Sequence, residues 1–358
     1  MNQQPTDQEK NLITVAPRRG STSRDGESFL PVDFPERRQA AGWRGLLPWI
    51  FGLLALFVVV LVVLHFGTIE HFTRLASAAR PEWLFIACAA QAATYVCAAM
   101  VWRQALARAG EPRSLSSLVP LGIAKLFTDQ VVQSGGVSGA ILVARGLTRR
   151  RVPTQVATAV LLVGLVSYFG AYLGSVLASL GILWLHDRAN APLFVVVAIF
   201  VAIVVAIPSG VLWMKQWARR LPVIWVKRLP GTALLLRAIG DAPTDLLRDP
   251  VLLAETVILQ FADFALDALT LWLAFRALGD APAIWVAFVS FIMASMAATL
   301  GPIPLGLGTF EGACVGMLSL LGEAIETALA ATIVLRVPTF WLPMAPGLWL
   351  AKREIAPG

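Results

Sequence analysis

The chain alternates long apolar runs with short polar stretches. Long apolar runs cover Pro48–Phe66, Trp83–Ala107, Thr154–Leu185, Pro192–Met214, Val251–Leu278 and Ala328–Leu350. A helix rises about 1.5 Å per residue, so each run is long enough to cross a hydrocarbon layer of about 30 Å. Two further regions are apolar but interrupted. Ser117–Gly146 is broken by Gln130, Gln133, Ser134, Gly135, Gly136 and Gly139, and Ile284–Leu321 by Gly301, Pro302, Pro304, Gly306 and Gly308. Each predicts two short helices joined by a break, because proline removes a helix donor and glycine costs helix stability. Residues 1–47 are polar without apolar periodicity and predict a disordered tail. That tail is too long and too mixed in charge to be the n-region of a cleaved signal peptide.

Composition sharpens this picture. Of 358 residues 57% are hydrophobic and 14% charged, whereas a soluble protein has about a quarter of its residues charged. A chain so poor in charge places much of its surface against lipid. The net charge of +7 would suggest nucleic acid in a soluble protein, but here the basic residues lie between apolar runs, so no nucleic-acid partner is expected. They report topology instead. With both broken regions read as re-entrant hairpins, 23 Lys and Arg fall on one side, and only Arg74, Arg80, Arg188 and Arg276 on the other. Cytoplasmic loops carry the excess of positive charge, so both termini are expected in the cytoplasm and the chain in the inner (plasma) membrane.

The resulting fold class is an all-α polytopic membrane protein with six full spans and two re-entrant helix pairs. One transmembrane domain is expected over 48–353, flanked by the tail 1–47 and a short cytoplasmic tail at 354–358. Within it, repeat 1 (48–185) and repeat 2 (192–350) both read span, span, hairpin, span. They start from opposite sides, which makes an inverted repeat. Many secondary transporters share this plan, with a substrate site near mid-membrane where the breaks meet.

The breaks carry the candidate chemistry. The first, Asp129 to Gly139, contains Gly135, Gly136, Ser138 and Gly139 and precedes a helix bearing Arg145. A helix starting after glycines points unpaired N–H groups at the break, an anion site suited to a lipid phosphate. Close helix packing by small residues is the alternative. The second, Gly301 to Gly312, contains Pro304, Gly306 and Gly308 and is followed by Glu311 in the first turn of the next helix. That carboxylate either caps the helix, binds a cationic headgroup or carries a proton.

The pairing of Gly-Gly-Val-x-Gly in the first half with Pro-x-Gly-Leu-Gly-x-x-Glu in the second resembles the flippase-like membrane family named for the lysylphosphatidylglycerol synthase transmembrane region, over roughly residues 45–353. Gly135, Gly136, Val137 and Gly139 match the first family motif, while Ser134, Ser138 and Ala140 replace its Pro, a Gly and its Asp. Pro304, Gly306, Leu307, Gly308 and Glu311 match the second, and Leu305, Thr309 and Phe310 depart from it. The resemblance implies a lipid-translocating or lipid-presenting protein, with the backbone shape carried over more fully than the charges.

Other membrane-depth charges add candidates. Asp263 and Asp267 stand four apart on one helical face, with Lys125 and Arg336 as available cations. They form either a structural ion-pair set or an ion- or proton-coupling site. Cys88, Cys97 and Cys314 lie in apolar runs away from any His or Cys at ligand spacing, and His65, His71 and His186 sit at outer helix ends, so neither a metal nor a cofactor is expected. No nucleophile–base cluster or nucleotide-binding motif is found. The largest soluble insertion, about residues 215–250, is shorter than the ~40 residues at which unaided folding becomes rare. A synthase is therefore not expected. The leading expectation is a lipid translocase that holds a phospholipid or polyprenyl-phosphate headgroup between the breaks, with Lys125 and Arg145 attracting it. The alternative is a non-catalytic subunit presenting lipid to an envelope enzyme. Expected partners are membrane lipids, with a second copy or an envelope-biosynthesis enzyme as protein partner.

Overall fold

The computed structural model describes residues 80–131, 137–188, 191–218, 245–300 and 308–355, and these are helical with no strand. In chain order the helices are α1 (Pro81–Arg108), α2 (Leu115–Val131), α3 (Val137–Arg149), α4 (Thr154–Leu185), α5 (Ala191–Ala218), the short α6 (Asp245–Arg248), α7 (Pro250–Ala277), α8 (Ile284–Leu300), α9 (Thr309–Leu320), α10 (Ile325–Arg336) and α11 (Leu342–Ile355). A π-helical turn, Val337–Trp341, joins α10 to α11. Four stretches are long and apolar enough to cross a membrane: Pro81–Arg108, Thr154–Leu185, Pro250–Ala277 and Ile325–Glu354. The tail 1–47 and the run Pro48–Phe66 lie outside the described residues, as do the turns 132–136 and 301–307. The run Pro192–Met214 falls within α5, a helix of 28 residues.

Helices α1 and α7 are built alike. Each has 28 residues, a proline at its start and an arginine in its last turn, where positive charge opposes the helix dipole. Each ends in a glycine with positive φ, Gly110 at 79° and Gly279 at 88°. The following amides, Glu111 N and Asp280 N, donate back to Leu106 O and Phe275 O and close the last turn. The two helices pack antiparallel along their length. At one end Arg80 N donates to Ala277 O at 2.9 Å, and at the other Arg108 pairs with Asp249.

These contacts define two faces. At the basic face the Arg113 guanidinium donates to Arg150 O at 2.9 and 3.1 Å. Arg150 donates to Ser117 Oγ at 2.8 Å and to both Glu354 carboxylate oxygens at 2.7 and 3.1 Å. These bonds gather the start of α2, the end of α3 and the end of α11. At the aromatic face His186 stacks on Trp285 at 4.2 Å, Trp272 Nε1 donates to Pro282 O at 2.9 Å, and Arg276 lies over Trp83 and Trp272. There Arg188 also reaches Leu320 O, at the end of α9.

Both broken regions are pairs of short helices packed on each other, α2 on α3 and α8 on α9. The longest of these has 17 residues, about 26 Å of helix and less than a hydrocarbon layer of about 30 Å. The outer ends of α2 and α3 lie at the basic face, and those of α8 and α9 at the aromatic face. The packing is reciprocal: α11 lies on α2, α4 lies on α8, and α1 lies on α7. At the first of these crossings no side chain intervenes at Gly347, where a Cβ would stand 2.6 Å from Phe127 Cβ.

Two large apolar cores result, with a smaller one of Ala87, Ala90 and Leu273 in the α1–α7 seam. One surrounds α2 and α3 with Leu106, Leu118, Leu121, Leu147, Val160 and Leu252. The other surrounds α8 and α9 with Phe200, Phe275, Ile292, Cys314, Leu318 and Ala331. In α4 the first core ends at Val163 and the second begins at Ala171. The middle of the helix assembly, between the cores, is where the polar side chains collect.

Candidate functional site

At the end of α2, Lys125 and Asp129 are one turn apart and paired, Nζ to Oδ2 at 2.7 Å. The other oxygen, Asp129 Oδ1, accepts from Gly139 N at 2.8 Å and from Ser138 Oγ at 3.4 Å. Asp129 thus caps α3 from across the break, satisfying an amide that a helix start leaves open. The space is tight, since a Cβ on Gly139 would collide with the Asp129 carboxylate. The glycine at 139 lets the carboxylate reach the backbone.

The second break is wired in the same sense. Glu311 Oε2 accepts from Gly308 N at 2.6 Å and caps α9, while Glu311 Oε1 accepts from Arg336 Nε at 2.6 Å. Gly308 has φ 81°, a left-handed conformation that glycine adopts without strain. The Arg336 guanidinium lies 4.2 Å from the centre of the Phe310 ring, and both charged side chains are mostly buried, at 18% and 13% exposure. Arg336 Nη2 is buried with no hydrogen-bond partner among the described residues.

The third element is the middle of the α1–α7 seam. Gln91 Nε2 donates to Asp267 Oδ1 at 3.1 Å and to Thr94 Oγ1 at 3.1 Å, and Thr94 Oγ1 donates to Gln91 O. Gln91 Oε1, Tyr95 OH and Asp263 Oδ1 are buried without partners among the described residues. Tyr168 and Tyr172 of α4 stack beside them on Phe264, and Tyr172 OH lies 3.2 Å from Thr299 Oγ1 at the end of α8.

The structure revises the pairing expected from sequence. Lys125 and Arg336 do not bind Asp263 or Asp267; each is held by the carboxylate at its own helix break. Lys125 remains within electrostatic range of Asp263. At the start of α3, where an anion site was expected, Gly139 N is already bound to a carboxylate, as is Gly308 N before α9. Arg145 lies farther along α3 toward the basic face and is half-buried. Gly135, Gly136, Pro304 and Gly306 lie outside the described residues. Sequence reasoning left Asp129, Gln91 and Tyr95 without a role. A glutamine in an apolar run, one turn from a tyrosine, was the available signal for the last two.

Four helical stretches long and apolar enough to cross a membrane define a multi-pass helical membrane protein. Residues 49–347 match the family described as the lysylphosphatidylglycerol synthase TM region, and the chain belongs to that family. No curated protein matches the chain. Among the described residues no cluster of His, Cys, Asp and Glu could hold a metal ion.

Proposed function

We propose that the protein carries an anionic lipid, a phospholipid or a polyprenyl-phosphate-linked lipid, between the two leaflets of the inner membrane. The fold proposed to carry it has six spans and two re-entrant pairs, α2–α3 and α8–α9, related as an inverted repeat. The reciprocal packing of α11 on α2 and α4 on α8, about the antiparallel α1–α7 pair, supports that plan. The basic face is proposed to be cytoplasmic, because cytoplasmic loops carry the excess of Lys and Arg.

The observation that carries the reading is the pair of opposed helix breaks, each holding a cation against an internal carboxylate at mid-depth. Asp129 and Glu311 stand where a phosphate group would stand, on a helix N-terminus and on a cation. A lipid phosphate entering from either leaflet would compete with that carboxylate for Lys125 or Arg336 while its tails stayed in the bilayer. Arg336 has a donor to spare for it. Membership of a family named for a lipid synthase's membrane region supports a lipid substrate. A second copy of the chain or an envelope-biosynthesis enzyme is the proposed partner, as donor or acceptor of the lipid.

The test is leaflet exchange. Full-length protein reconstituted into vesicles should accelerate the loss of inner-leaflet fluorescent phospholipid to an external quencher relative to protein-free vesicles. Glu311→Gln should slow it. Exchange no faster than in empty vesicles, for both phospholipid and polyprenyl-phosphate probes, would exclude carriage.

A further inference from the structure

Charge bookkeeping across the middle of the molecule leaves a remainder. Lys125 and Arg336 are each matched by one carboxylate, Asp129 and Glu311. Asp263 and Asp267 then stand one turn apart on α7 with no Lys or Arg within ion-pair distance among the described residues. Two uncompensated carboxylates at this depth are expensive, and such groups pair, coordinate a cation or take up a proton.

The surroundings of the pair are made of oxygens that lack a donor. Gln91, only 7% exposed, spends both amide hydrogens on Asp267 and Thr94. Its orientation is set, because the reversed amide would put Oε1 against the Asp267 carboxylate. Its Oε1 is therefore left buried and unpartnered, as are Asp263 Oδ1 and Tyr95 OH. Tyr95 sits one turn from Gln91 and within electrostatic range of both carboxylates. Unpartnered oxygens from two helices around two carboxylates, only one of them with a hydrogen to donate, suit a small positive charge.

We propose that Gln91, Tyr95, Asp263 and Asp267 form an exchangeable site for one monovalent cation, a sodium ion or a proton, in the α1–α7 seam. Gln91 and Thr94 of α1 and Asp267 of α7 are joined by hydrogen bonds, and Tyr95 and Cys97 of α1, Lys125 of α2 and Tyr168 of α4 lie within electrostatic range of one or both aspartates. Cation binding here does not depend on the lipid reading. If the protein does carry lipid, the site supplies the coupling ion, since α1 and α7 are the helices on which both hairpins lean.

The experiment follows thermal unfolding of purified full-length protein in detergent by tryptophan fluorescence. Sodium chloride is raised against choline chloride at constant ionic strength, and the series is repeated across a range of pH. A sodium occupant raises the unfolding midpoint saturably with sodium and not with choline, and Tyr95→Phe weakens its apparent affinity about tenfold, as for one lost ligand to a charge. A proton occupant leaves the sodium series flat and makes the midpoint follow pH with uptake of one proton. Asp263→Asn abolishes the sodium dependence in the first case and, in the second, removes one proton from the pH dependence, leaving that of other groups such as Asp249. Should that variant fail to fold, Asp267→Asn and the wild-type titrations decide the matter. A midpoint indifferent to sodium, with the same pH profile in wild type and variants, overturns the proposal. Since lipid exchange is not read, failure here and failure of lipid carriage are separable.

Discussion

At the scale of single residues, the Glu311–Arg336 pair shows how a buried charge is tolerated. Glu311 accepts from a backbone amide on one oxygen and from a guanidinium on the other, and Arg336 also rests on the Phe310 ring. Removing one partner leaves the other charge buried, which is costlier than removing both. Glu311→Gln keeps an acceptor for Gly308 N but removes the charge. It should destabilise the protein by about 3 kcal/mol in detergent unfolding. Combining it with Arg336→Met should recover much of that loss, and a double variant weaker than the single one would contradict the pairing. Glu311 as a helix cap was among the roles open from its place in the first turn of α9. Arg336 as its partner was not, since 25 residues separate them and only packing of α10 against α9 brings them together.

At the scale of elements, helix ends are where the local chemistry is most legible. Asp249 precedes Pro250 and opens α7. Its carboxylate accepts from Leu252 N at 3.1 Å and Val251 N at 3.0 Å, and pairs with Arg108 of α1. The Leu252 amide, then the Arg108 charge, hold the Asp249 carboxyl below its ordinary range, against a smaller opposing effect of desolvation. A carboxyl so depressed in the folded state contributes stability above its unfolded pKa, and loses it as pH falls through the folded value. Asp249→Ala should therefore lower the unfolding temperature at neutral pH, and the gap to wild type should close in acid; a gap independent of pH would contradict this. At the aromatic face the sign is opposite, because burial and the nearby Asp280 push the Glu323 carboxyl up. The two helix–break–helix regions were also legible, the first from its Gly and polar residues and the second from its Pro and Gly residues, which disfavour a continuous helix. Which carboxylate would close each break was not, because Asp129 caps a helix ten residues ahead of it in the chain.

At the scale of the whole molecule, a group of basic side chains gathers at one end and an aromatic group at the other. Arg108, Arg113, Arg149, Arg150, Arg151 and Lys352 collect at one face, and Trp83, Trp272, Trp285 and His186 at the other. This separation predicts sidedness. In a background lacking Cys88, Cys97 and Cys314, Lys352→Cys and Ala281→Cys occupy exposed positions at opposite faces. An impermeant maleimide added to intact cells should label Ala281→Cys and reach Lys352→Cys only after lysis. Labelling of both from outside would overturn the orientation.

Helix length, apolar content, the two interruptions and the uneven distribution of Lys and Arg are properties of neighbouring residues, so the sequence by itself determined a helical membrane protein with two broken regions. The family motifs were visible for the same reason, being short and contiguous. Partner choice at mid-depth belongs to the tertiary structure. Lys125 and Arg336 could each have met any of four carboxylates, and helix packing gave each a single one. It also set Gln91 against Asp267, 176 residues away. In a low-dielectric interior a charge is satisfied only by what actually touches it. The fold therefore decided which carboxylates are satisfied and which two are left to bind something else.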